Sequence, residues 1–158
     1  MFDVDMKITM GVNIFVKHLT PQDLSGVEFQ GKKVSLQIWD FGGEQAYRFL
    51  LPSYSKGSAA GIFMFDITRH ITLEKIDEWV ERFKQGIAGD RVPILMVGGK
   101  LDLEENRASD KEYAQNLAKT RDICGYVECS SKTGRNVNYI FEYLAKELLK
   151  KDKLIWAV

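Results

Sequence analysis

Three short polar stretches each follow an apolar run, and each carries residues with a definable chemistry. "DFGG" at 40–43 places a carboxylate and two glycines directly after "VSLQIW". An aspartate there can hold Mg²⁺, directly or through water, and Gly43 can bring a backbone N–H to a phosphate with no side chain in the way. A tight turn with a satisfied Asp40 accounts for the same residues. "GGKLD" at 98–102 follows "PILMV". The Asp102 carboxylate can accept the paired N1 and N2 hydrogens of guanine, a donor pair adenine lacks, and the Lys100 stem can lie flat on a base. A solvated loop is the plainer alternative. "ECSSKTG" at 128–134 follows a third apolar stretch. Its backbone N–H groups at Ser131 and Lys132 can meet a guanine carbonyl, while Ser130 or Thr133 can equally cap a helix.

These loops need elements to position them. "GVNIFVKHL" and "KVSLQIWD" are rich in β-branched and aromatic residues, and their helix-free connection predicts an antiparallel pair. "AAGIFMFDI" and "PILMVGG" are nearly continuous apolar runs, as expected of parallel strands covered on both faces, and "GYVEC" is a weaker third. Ile76, Trp79, Phe83 and Ile87 recur at helical spacing. Tyr113, Ala114, Leu117 and Ala118 predict a second helix with Ser109 as its N-cap. Val137, Phe141, Leu144 and Leu148 predict a third. Alternation of this kind gives an α/β sandwich with a mostly parallel sheet, whose ligands gather at the carboxyl ends of the strands. Those ends are Asp40 and its glycines, Asp66, Gly98 to Asp102, and Ser130 to Lys132.

Composition bounds the function. The chain has 158 residues, 45 % apolar and 28 % charged, as expected of one soluble domain. With 22 basic and 22 acidic residues its formal net charge is zero, which argues against nucleic acid or an anionic membrane as main partner. Cys124 and Cys129 lack metal-ligand spacing, so reduced thiols in a cytoplasmic protein are expected. "MFDVDMKITM" has no signal-peptide pattern, and "KDKLIWAV" has no cysteine to prenylate, so no lipid anchor of its own is expected.

Taken together, "WDFGGE", "GGKLD" about sixty residues later and "ECSSK" about thirty further on resemble the small GTPases of the Ras and Rab kind. "KITMGVNIFVK" is similar to their first switch and following strand, and "YRFLLPSYSKGSAAGIFMFDIT" to the second switch helix and the next strand. The resemblance implies a Ras-like P-loop NTPase sandwich over residues 1–151, with 152–158 as a tail. It implies a GTP-binding switch that hydrolyses GTP with Mg²⁺. Thr9 would reach the metal and the γ-phosphate, Asp40 would sit on the metal side, and Gly43 would sense the γ-phosphate. Lys100 and Asp102 would hold guanine, with Ser130, Ser131 and Lys132 completing the base pocket. Glu44 and, more weakly, Gln45 would stand at the catalytic position. Effector, exchange-factor and activating proteins would meet a monomer at its switches. Phe49, Leu50 and Leu51 are candidates for that surface or for packing of the switch helix.

Three departures from the family's pattern set further expectations. The family begins with a strand, a GxxxxGK[ST] phosphate loop and a helix, whereas Met1 lies eight residues before Thr9. "GVEFQGKK" at 26–33 nearly fits the loop, but Lys33 replaces the hydroxyl and a strand follows, so a hairpin connection is expected instead. An N-terminally truncated domain with a gap in its sheet, two unpaired inner edges and impaired nucleotide binding is therefore expected. A split protein and a pseudo-GTPase acting as an interaction module are the alternatives. Glu44 replaces the usual Gln, which predicts slow hydrolysis unless the side chain merely points to solvent. Gly99 replaces the usual Asn, which predicts a looser base pocket.

Overall fold

β-branched and aromatic residues mark Val12–Leu19 (β1), apolar and polar residues alternate from Val34 to Ile38 in Val34–Phe41 (β2), and the two strands pair antiparallel in unbroken register from Leu19↔Val34 to Val12↔Phe41. The structure is a computed structural model that describes residues 11–25, 33–43, 45–87 and 92–151. The segment joining β1 to β2 thus connects a hairpin; of "GVEFQGKK", all but Lys33 lies outside the described residues.

Three further strands form a separate parallel sheet in the order β3 (Gly61–Asp66), β4 (Ile94–Gly99), β5 (Gly125–Glu128). Among the described residues neither β2 nor β3 pairs across to the other sheet, which matches the gap expected from the sequence. Every residue of β4 is buried, as its continuous apolar run requires. β3 departs from expectation. Phe63 and Phe65 are buried, but Ile62 and Met64 on its other face are 40 % and 54 % exposed.

The reason lies in the helices. Short α1 (Leu51–Tyr54) and α2 (His70–Leu73) precede α3 (Ile76–Gly86), α4 (Lys111–Thr120) and α5 (Val137–Lys151). Ile76 and Val80 of α3 and Ala114, Leu117 and Ala118 of α4 pack on Phe63, Phe65 and Met96. On the opposite face Ile140 and Leu144 of α5 cover Leu95, Val97 and Val127 of β4 and β5, not β3. The next stripe of α5, Ala145 and Leu149 with Phe141, packs on Leu19, Val34 and Leu36 of the hairpin. One helix therefore joins both sheets, and this explains why its apolar stripe is wider than the expected Val137, Phe141, Leu144, Leu148 line. Lys17 of β1 adds a 3.0 Å hydrogen bond to Asn138 and lies over the Phe141 ring.

Two local expectations are corrected. Asp110, not Ser109, caps α4: its carboxylate accepts from the Tyr113 N–H at 2.7 Å. Tyr113 is exposed, and Ala114 carries the buried contact instead. In α3 the buried stripe runs through Val80, while Ile87 has extended backbone beyond the last turn. Among the described residues no helix is long and apolar enough to cross a membrane.

Candidate functional site

The ends of β3, β4 and β5 bring three polar loops side by side. Leu101 N–H donates to the Cys129 carbonyl at 2.9 Å, and Cys129 N–H to the Gly98 carbonyl at 2.8 Å, so the loops after β4 and β5 are tied at their roots. Lys100 between them adopts a left-handed backbone (φ 65°), which only a strongly determined loop imposes on a residue with a Cβ. A 3₁₀ segment, Leu101–Asn106, then carries Asp102.

Ser130, fully buried, donates its hydroxyl to Asp102 Oδ1 at 2.6 Å and accepts from the Thr133 N–H at 3.1 Å. Its capping bond serves the turn at 131–133 rather than α5, which starts after Asn136 in a left-handed conformation (φ 60°). Ser131 and Lys132 are exposed in that turn. Lys100 Nζ lies 2.7 Å from Asp66 Oδ2. Lys100, Asp102 and Ser130 are thus brought together, with Ser131 and Lys132 next in the chain.

Next to them sits a part-buried polar cluster, centred on the buried Glu128, that the sequence did not announce. Arg107 grips Glu128 with two hydrogen bonds, 2.7 and 3.0 Å, and Tyr126 donates its hydroxyl to the same carboxylate at 2.6 Å. The Glu128 backbone carbonyl accepts from Asn136 Nδ2 at 2.7 Å. Burial pushes the Glu128 carboxyl up, but the Arg107 and Tyr126 bonds outweigh it and hold it below the ordinary value. The guanidinium of Arg107 is raised in turn, chiefly by its bond to Glu128.

Asp40 and Gly43 lie elsewhere in the topology, at the open end of the hairpin. Asp40 is exposed and pairs in register with Asn13. Gly42 N–H bonds the Gly11 carbonyl at 3.2 Å. A Cβ built on Gly43 would meet nothing within 4 Å, so no described part of the chain explains a glycine there. Among the described residues no group of three His, Cys, Asp or Glu is set to hold a metal. One exposed carboxylate nevertheless suits Mg²⁺, which takes one or two protein carboxylates and draws its other ligands from phosphate and water. Thr9 and Glu44 lie outside the described residues, and only the backbone of Gln45 lies within them, opening a 3₁₀ segment to Leu50.

Of the three apolar candidates that follow, Leu51 is buried at 5 % exposure while Phe49 is 68 % exposed. Arg48 fixes the segment to α3 through Glu78 at 2.8 Å and by lying over the Trp79 ring. Sequence reasoning missed the Tyr54 ring, which stands 5.6 Å from Trp39 and 5.9 Å from Phe41. An aromatic at the end of a short helix, opposite an outward-facing strand tryptophan, was the available signal. A hollow of about 530 Å³ at the other end of the strands, lined by Pro93, Ile123 and Cys124 among others, contains none of the predicted site residues.

A model of the Ras family matches residues 1–150 of the chain. The chain is 34 % identical over 146 residues to the Ras-related protein Rab-19 of Mus musculus, covering 92 % of this chain and 63 % of the relative. It is 34 % identical over 142 residues to Rab-19 of Homo sapiens, covering 85 % and 65 %. It is 33 % identical over 151 residues to the Ras-related protein Rab-39A of Homo sapiens, covering 92 % and 65 %. The chain thus spans less than two thirds of the length of these curated relatives. By the family match over nearly its whole length and its α/β architecture with a parallel sheet, the chain belongs to the Ras family and has the fold of a Ras/Rab-like small GTPase.

Proposed function

We propose that this chain carries the guanine-recognition half of a GTP-binding switch of the trafficking or signalling type. The observation that supports this most is the 2.6 Å bond from Ser130 to Asp102, which holds a carboxylate of the β4 loop against the β5 loop, where Ser131 and Lys132 are exposed. Asp102 then accepts the N1 and N2 hydrogens of guanine, the Lys100 stem covers a face of the base, and Ser131 and Lys132 offer N–H groups to its carbonyl. Adenine presents neither that donor pair nor that acceptor.

On the phosphate side Gly43 offers a backbone N–H, and Thr9 and Asp40 would hold Mg²⁺, which neutralises phosphate charge when bound. These 158 residues contain no GxxxxGK[ST], the loop that supplies a lysine and most of the N–H groups to the β- and γ-phosphates. Nucleotide affinity of this polypeptide is therefore weak. Hydrolysis is slow as well: a carboxylate at Glu44 accepts from water but cannot donate to the transition state unless protonated, and it repels a nearby phosphate. Effector and regulator proteins meet the exposed apolar side chains of Phe49, Trp39 and Tyr54, in the cytoplasm and with a monomeric domain. Those exposed side chains also favour the second reading, an interaction module of the same fold that holds no nucleotide.

A titration of the 158-residue polypeptide with a fluorescent GTP analogue tests the affinity. Weaker than micromolar binding with negligible turnover is expected; submicromolar affinity contradicts the account of the phosphate side.

A further inference from the structure

Lys100 is placed twice over, by its left-handed backbone and by the 2.7 Å bond from its ammonium to Asp66. The carboxylate that receives it is itself fixed. Asp66 Oδ1 accepts from the N–H of Thr68 at 2.9 Å and from its hydroxyl at 2.7 Å, which leaves Oδ2 for Lys100. The Asp66 N–H in turn donates to the Thr72 hydroxyl at 3.0 Å. Asp66 ends β3 in register with Gly99, so the ammonium is drawn to the β3 side of the β4 end. Asp102 is drawn to the other side, where Ser130 follows β5. The Lys100 ammonium is thus tied to the end of β3 and the Asp102 carboxylate to the loop after β5, the two neighbours of β4.

A lysine free in solvent loses rotamer entropy when it stacks on a ligand, whereas one already anchored has lost it beforehand. The pair is half-exposed at the lysine end and contributes little to folding. Its geometry points to a role in the site. We propose that Asp66 is a positioning residue of the base site, anchoring the Lys100 ammonium so that the lysine stem stands ready as a wall against a purine. This rests on reading Lys100 and Asp102 as base residues.

The test is a double-mutant cycle on the 158-residue chain, read as GDP affinity from amide chemical shifts up to millimolar nucleotide. Asp66→Asn keeps an acceptor for Thr68 but loses the ion pair. Lys100→Met keeps an unbranched stem but has no charge to anchor. D66N is expected to weaken GDP binding about three- to tenfold in the parent and to add no further loss in the K100M background. Equal losses in both backgrounds, or no loss in the parent, overturn the proposal while leaving the base-site reading intact. Absence of saturable GDP binding by the parent overturns that reading and this proposal together. Should D66N not fold, D66S, which still offers Thr68 an acceptor, takes its place with the same outcomes.

Discussion

Ser130 and Asp102, 28 residues apart in sequence, are joined by a 2.6 Å hydrogen bond across the ends of two neighbouring strands. The serine is fully buried and also accepts the Thr133 N–H. Its hydroxyl therefore couples the Asp102 carboxylate of the β4 loop to the turn at 131–133. Ser130→Ala strands the Thr133 N–H and removes a donor from Asp102. Urea denaturation is expected to show a loss of about 1–2 kcal/mol, with faster amide exchange at Thr133 than at α3.

Asp102→Asn replaces one acceptor of the carboxylate with a donor. A purine with a carbonyl at C2, xanthine, then matches the side chain better than guanine does. Competition between XDP and GDP should invert from the parent's preference to the variant's; an unchanged preference would mean that Asp102 does not face the base.

Glu128 sets a pH dependence. Its side chain is 6 % exposed and its carboxyl is held below the ordinary value of 4.5, because bonds from Arg107 and Tyr126 outweigh burial. A carboxyl depressed in the folded state contributes stability that is present above 4.5 and lost as pH falls through the lower folded value. The urea midpoint should therefore drop on acidification from pH ~5 downward. Glu128→Gln should flatten part of that slope and, by leaving Arg107 only the Glu104 carboxylate at 3.3 Å, cost about 1–3 kcal/mol at neutral pH.

The two glycines closing β4 should respond differently. A Cβ on Gly98 would lie 2.9 Å from Ile67 Cγ2, 3.1 Å from the Tyr126 hydroxyl and 3.3 Å from Glu128 Cγ. Gly98→Ala should cost about 1–3 kcal/mol by calorimetry or denaturation. A Cβ on Gly99 meets the terminal methyl of Met64 at 3.0 Å, and Met64 is exposed and free to swing. Gly99→Ala should therefore cost less than Gly98→Ala by the same measurement.

Elements with strong periodicity were legible in the sequence. β-branched and aromatic residues located the first two strands and apolar runs the other three, and the short helix-free connection foretold the antiparallel hairpin. Exposure of Ile62 and Met64 was not legible, because an apolar run reports only that both faces avoid charge, not which helix covers them. The Asp110 cap was displaced by one residue from Ser109, since both types cap equally well and only backbone geometry chooses. Lys100, Asp102 and Ser130, which the family resemblance implied as base residues, do come together at the ends of β4 and β5. Asp66 was seen only as a strand end, and Arg107 and Glu128 not at all, because an ion pair across 21 residues leaves no periodic trace.

The central claim, that the loops after β4 and β5 form a guanine-selective site, is tested most directly by parallel titrations of the chain with GDP and ADP, followed at the amides of residues 101–105 and 130–133. The account predicts saturable shifts at both loops with GDP and at least about tenfold weaker response to ADP. Equal responses to the two nucleotides, or shifts confined to other parts of the chain, would contradict it.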